Sequence, residues 1–215
     1  MNGERVLVSD FGGVLTTPLE RSFRIWSEES GVPLAALGAA LAQEAERSGA
    51  HPLHELERGR LTEKAFLGAL TERLSEAMGR PVDMSRFGEA YFEHLDVNDE
   101  LLERLRAWRA DGVRMALCTN NVREWEPRWR AMIPVDELFE TVVDSAFVGV
   151  RKPDREIYDI VLERLGDVPA QACVFLDDIE ANCEGARAVG MTAVRFLSNE
   201  QAIPEVEEAL GVAAA

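Results

Sequence analysis

"ACVFLDDIEANCEGARAVGMTAVRF", from Ala172 to Phe196, holds the pattern that decides the fold. A short apolar run, "ACVFL", stops at two adjacent acids, Asp177 and Asp178. "EANCEGARAVG" then carries apolar residues at helical spacing and ends on glycine, and "TAVRF" returns to strand character. Strand, amphipathic helix, strand is the repeating unit of a parallel sheet, because parallel neighbours need a crossover on the sheet's face.

The same alternation extends outward on both sides. Upstream lie the helix "PDREIYDIVLERLG", the strand "ETVVDS", a helix beginning near Val122, the strand "VRMALC" and a helix from Asp99 to Ala110. Val6 to Ser9 is a further buried-strand candidate, cut off by "DFGG", and a last helix spans Glu200 to Leu210. Between about Pro18 and Leu95 the alternation lapses. "PLERSFRIWSEESG", "PLAALGAALAQEAERSG", "LTEKAFLGALTERLSEAMG" and "SRFGEAYFEHL" all read as helices, with no strand among them. The expected architecture is α/β: a Rossmann-like parallel sheet with helices on both faces, built from residues 1–16 and 96–215. A small helical cap is inserted as residues 17–95.

Composition narrows the function classes. The 215 residues are 47% apolar, enough for a sizeable core. No run approaches the ~18 apolar residues of a membrane span. "MNGERVLVSD" lacks the basic and long apolar regions of a signal peptide, so a cytoplasmic location is expected. Cys118, Cys173 and Cys183 form no C-x-x-C pair, which suggests neither a disulfide framework nor a zinc site. The formal charge of −16, from 23 basic and 39 acidic residues, disfavours nucleic acid and anionic lipid as partners. It would repel a phosphate ester too, so any site for one must carry its own local positive charge. Oligomeric state is not readable.

Ligands of open parallel sheets bind beyond the carboxyl ends of the strands. The residues at those ends are Asp10, then Thr119 and Asn120, then Asp177 and Asp178, with Lys152 in "GVRKPD" between the last two groups. Singly, each has an ordinary explanation as a turn former, a loop pair, a solvated helix start or a charged loop. Together and in this order they predict one pocket. It holds a carboxylate nucleophile, hydroxyl and amide donors, a cation and a metal-binding acid pair.

"DFGGVL", "LCTNN", "VRKPDREIY" and "VFLDDIEANCEGARAVGM" resemble, in order, the four motifs of the haloacid dehalogenase-like superfamily. The flavour is similar to the branch that contains the N-terminal phosphatase domain of soluble epoxide hydrolase. The resemblance implies a small phosphorylated metabolite as substrate and Asp10 as the nucleophile that forms an aspartyl-phosphate. It implies Mg²⁺ on the Asp10 carboxylate, the Gly12 carbonyl and Asp178. Asp177 would sit behind them, fixing Lys152 or a metal-bound water, with the reverse assignment of the acid pair open. Lys152 would hold the nucleophile and the transferring phosphoryl group, and Thr119 with the Asn120 backbone would donate to its oxygens. Asn182 would brace the loop or cap its helix.

One part is absent. The family's usual phosphatases carry a second acid two residues after the nucleophile, where this chain has Gly12. Such general acid–base assistance contributes ~10²–10⁴-fold in rate. Three readings follow: a Mg²⁺-dependent phosphatase without that donor, a 2-haloacid dehalogenase whose halide leaves unprotonated, or a weakened domain that binds phosphate or a protein. The paired acids and the retained Asp10, Thr119, Lys152 and Asp178 favour the phosphatase. Its rate should then fall steeply with leaving-group pKa, unless the cap brings a donor of its own. His51, His54 and His94 fall in the cap at no metal-ligand spacing, and Trp125 and Trp129, four apart, are expected on one helix face.

Overall fold

The computed structural model describes residues 5–212, so the outermost residues assigned to the sheet domain, 1–4 and 213–215, lie outside it. Five strands, β1 (Val6–Ser9), β2 (Arg114–Thr119), β3 (Thr141–Asp144), β4 (Cys173–Asp177) and β5 (Thr192–Arg195), form one parallel sheet in the order β3-β2-β1-β4-β5. Every residue of β1 and β4 is buried, as helices on both faces require of central strands. The chain builds outward from β1 to one side and then returns to β4 on the other. The sheet's switch point therefore lies between the carboxyl ends of β1 and β4.

Six helices lie between β1 and β2, and the first five make up the insertion: α1 (Leu19–Ser30), α2 (Leu34–Ser48), α3 (Pro52–Glu57), α4 (Glu63–Met78) and α5 (Phe87–Glu93). The chain enters and leaves this insertion through an antiparallel contact. Thr16 bridges Val97, Thr17 N donates to Asp96 O (2.8 Å), and Asn98 N donates to Leu15 O (2.9 Å). The return strands are joined by α6 (Asp99–Ala110), α7 (Glu126–Met132), α8 (Val135–Leu138), α9 (Ser145–Val148), α10 (Arg155–Arg164) and α11 (Glu180–Ala188), and α12 (Asn199–Leu210) closes the fold. Neither α3, α8 nor α9 was anticipated from the sequence, because one or two turns carry too few residues for a period to show.

Alternate residues of the strands supply two cores. Leu7, Leu117 and Leu176 join a cluster that runs up into the insertion through Trp26, Leu70 and Phe87. Val8, Phe175, Ile157 and Tyr158 pack the opposite face. Among the described residues no helix is long and apolar enough to cross a membrane.

Trp125 and Trp129 do not share one helix face. Trp125 ends a 3-10 turn (Arg123–Trp125), stacks on Tyr91 at 5.0 Å and donates from Nε1 to Glu63 Oε1 (2.6 Å), both in the insertion. Trp129, on α7, packs against Phe11 at 5.5 Å. The change of helix type at Glu126 turns the two rings toward different neighbours.

Candidate active site

β1 and β4 run in register, with Ser9 opposite Leu176, and Asp10 N donates to Leu176 O (2.8 Å). That pairing sets Asp10 beside Asp177 at the switch point. Between them stands Lys152, 1% exposed, its Nζ 2.7 Å from Asp10 Oδ1 and 2.6 Å from Asp177 Oδ2. Asp177 is fully engaged. Oδ1 accepts from Ile179 N (2.9 Å) and Asn182 Nδ2 (2.9 Å), and Oδ2 from Lys152 and from Asn182 Nδ2 (3.1 Å). Asn182 is held in turn by the Tyr158 hydroxyl, which donates to its carbonyl at 2.7 Å.

Asn120 secures the lysine's backbone from both sides. Its Oδ1 accepts from Lys152 N (2.8 Å) and its Nδ2 donates to Lys152 O (3.0 Å). The side chain is thus a clamp on the "RKP" loop, a role that the sequence did not suggest. Thr119 ends β2, 1% exposed, on the same cavity.

Asp178 turns the other way, toward "GG". Gly13 has φ +77°, and a Cβ there would collide with the Asp178 carboxylate, so glycine is needed both for the backbone and for the close approach. Gly12 is different. Its φ lies outside the left-handed region, and a Cβ would meet only the flexible Leu19 side chain, at 3.3 Å.

Oxygens of Asp10, Asp177 and Asp178 lie within 4.8 Å of one another. Three carboxyl groups thus face a single ammonium, that of Lys152. Burial pushes the Asp10 carboxyl up, against the pull of Lys152 and with Asp177 and Asp178 adding to it, to about 8. Burial and Asp177 push Asp178 up to about 6. Burial opposes the charge on Lys152, but Asp10 and Asp177 outweigh it and hold the ammonium protonated. Hard oxygen donors from three converging carboxyl groups, with only one ammonium among them, fit a small divalent cation such as Mg²⁺.

Over the cluster lies a cavity of about 200 Å³. Its floor is Asp10, Thr119, Asn120, Lys152 and Asp178, and its walls are mostly apolar side chains of the insertion, including Phe23, Leu41, Phe66 and Phe92. Two charged residues that the sequence did not single out also face it. Glu57 Oε2, at the end of α3, meets Arg151 Nε at 2.6 Å, and next to it Arg58 Nη2 donates to Asp154 Oδ2 at 2.9 Å. "ELERG" carried no readable signal, since its partners are ~95 residues downstream. No histidine is among the residues that line the cavity: the His51 and His54 rings lie tilted with centroids 4.5 Å apart, and His94 lies near Glu29.

Comparison with known proteins agrees with this geometry. The haloacid dehalogenase-like hydrolase family model matches residues 4–190. Acyl-CoA dehydrogenase family member 10 of Mus musculus is 28% identical over 96% of this chain, which spans 19% of that protein. Bifunctional epoxide hydrolase 2 of Mus musculus is 26% identical over 96% of this chain, which spans 39% of it. The chain thus covers less than half the length of either relative. Among solved structures, a HAD-family enzyme of Bacteroides thetaiotaomicron in complex with magnesium and inorganic phosphate superposes with TM-score 0.62 at 23% identity, over 90% of this chain and 94% of that one. Haloacid dehalogenases share the same fold. With a family match across most of its length, a five-stranded parallel sheet and an acid cluster at the switch point, this chain belongs to the haloacid dehalogenase-like hydrolases.

Proposed function

We propose that the protein is a Mg²⁺-dependent phosphatase that hydrolyses a small phosphate monoester through an aspartyl-phosphate on Asp10. The observation that carries this reading is Lys152, held between Asp10 and Asp177 with Asp178 beside them under an enclosed cavity. A dianionic phosphate approaching Asp10 needs compensating charge on both sides. Lys152 supplies one positive centre, which Asp177 fixes in place and Asn182 supports through Asp177. Asp10, Asp178 and the Gly12 carbonyl would hold Mg²⁺, which when bound screens the nucleophile from the phosphate. Thr119 and the backbone near Asn120 orient the phosphoryl oxygens. The helical insertion acts as the cap, and its apolar wall selects an ester whose organic part is apolar rather than a polar sugar.

The dehalogenase reading explains neither Asp178 nor the convergence of three carboxyl groups. One assay separates the two. With Mg²⁺, the wild type is expected to release phosphate from p-nitrophenyl phosphate, and chelator or Asp10→Asn to abolish the reaction. Full activity in chelator would sink the metal assignment. Halide release from 2-chloropropionate without metal would move the protein to the dehalogenases.

A further inference from the structure

The chemistry above lacks a proton donor at Gly12, and the cavity is lined by one further carboxyl. Besides Asp10 and Asp178, Glu57 is the one carboxyl among the residues that line it. It comes from α3, in the insertion, whereas Asp10 rises from the sheet. In an in-line displacement the bond to the leaving group breaks on the side opposite the nucleophile. With Asp10 at the floor, the leaving oxygen is directed toward the insertion, the wall that carries Glu57. Its side chain is 15% exposed and anchored by Arg151, the residue next to Lys152.

We infer that Glu57 performs the acid–base work that the residue at position 12 cannot. This rests on the phosphatase reading. In the first step the bond from Asp10 Oδ to phosphorus forms and the phosphorus–oxygen bond to the leaving group breaks. The leaving oxygen takes the proton of the Glu57 carboxyl. In the second step the Glu57 carboxylate takes a proton from water. The water oxygen attacks phosphorus, and the bond to Asp10 breaks to give inorganic phosphate, with Glu57 again protonated. Burial raises the Glu57 carboxyl, opposed by Arg151, Lys152 and His51, which is the direction a general acid requires. Tyr91, on α5, is the other titratable group of the insertion wall that interacts with it. Burial drives that phenol far up, which removes it as a donor of comparable strength.

The test is kcat/KM, with saturating Mg²⁺, for p-nitrophenyl, phenyl and simple alkyl phosphates, in the wild type, Glu57→Gln and Glu57→Asp. The wild type is expected to vary little along the series. Glu57→Gln should lose about 10²–10⁴-fold on the alkyl ester and much less on p-nitrophenyl phosphate. It should also give a stoichiometric burst of p-nitrophenol, because hydrolysis of the phosphoenzyme has lost its base. Glu57→Asp should recover part of the alkyl activity, and it carries the test if Glu57→Gln fails to fold by thermal melt. An equal loss on every ester, or a change in KM alone, would overturn the inference and make Glu57 a positioning residue for Arg151. A steep wild-type series would overturn it as well. Failure of the phosphatase reading looks different: no ester releases phosphate in a manner that depends on Asp10, and the inference falls with it.

Discussion

Lys152 and Asp177 meet at 2.6 Å with side chains 1% and 0% exposed, an ion pair closed to solvent and shared with Asp10. "RKPD" in the sequence suggests a solvated helix start. The structure instead buries the ammonium, so its removal touches folding as well as chemistry. Replacing one partner of a buried pair commonly costs about 3–5 kcal/mol, because the other charge stays behind unpaired. Lys152→Met should therefore abolish phosphatase turnover and also lower the stability of the protein by an amount of that order. Urea denaturation at neutral pH measures it. An unchanged midpoint would mean that the site relaxes around the lost ammonium at no cost in stability.

Mg²⁺ binding gives a prediction that does not depend on turnover. A ligand that binds only the folded state stabilises it by about 2.7 kcal/mol at a hundredfold excess over its Kd. Mg²⁺ should raise the Tm of the wild type, and Asp178→Ala should lose that rise while keeping the fold, since Asp178 faces Gly13 rather than the core. Thermal melts with and without Mg²⁺ decide this. A full Mg²⁺ response in Asp178→Ala would transfer the ligand role to Asp177.

Asp144 supplies a test of pH dependence away from the cluster of Asp10, Asp177 and Asp178. It ends β3 and caps α9, with Oδ1 accepting from Ala146 N at 2.9 Å, while Oδ2 is buried without a partner. Burial pushes its carboxyl up from 3.8 to about 6. The folded state therefore binds more protons than the unfolded one between those values, and stability falls as pH rises through that window. Asp144→Asn keeps an oxygen for the cap and cannot ionise. Its stability relative to the wild type should improve by about 2–3 kcal/mol between pH 4 and pH 8, at 1.36 kcal/mol per pKa unit. Denaturation curves at both pH values measure the change. A constant difference would show that Asp144 titrates normally.

The sequence made the sheet and most of the floor of the site legible for one reason: both follow strand ends. Asp10, Thr119, Asp177 and Asp178 each stand at or just beyond an apolar run, so the parallel pairing of β1, β2 and β4 brings them together. Other features depend on contacts that no local pattern encodes. Asn120 clamps a peptide 32 residues away, and Glu57 meets Arg151 across 94 residues. The order β3-β2-β1-β4-β5 and the apolar cavity wall are likewise set by how helices dock on the sheet. Gly12 and Gly13 look alike in "DFGGVL", yet only Gly13 takes a positive φ and crowds Asp178.

That difference makes Gly12→Asp a usable variant. The backbone at Gly12 accepts an L-residue, and the nearest atoms to its Cβ would be the Leu19 methyl groups at 3.3 Å. Overpacking of this kind costs about 1–3 kcal/mol, and a mobile leucine places it toward the low end. The protein should fold, with a Tm lowered by a few degrees. Its catalytic effect depends on what Glu57 already supplies. In the wild-type background Gly12→Asp should change kcat/KM on alkyl phosphates only slightly, because the leaving group already has a donor. In the Glu57→Gln background the same substitution should recover much of the lost alkyl activity and remove the burst. The two substitutions are thus expected to be strongly non-additive, and a double-mutant cycle on kcat/KM isolates their coupling. Additive effects, in variants whose melts are intact, would mean that position 12 and Glu57 serve different steps.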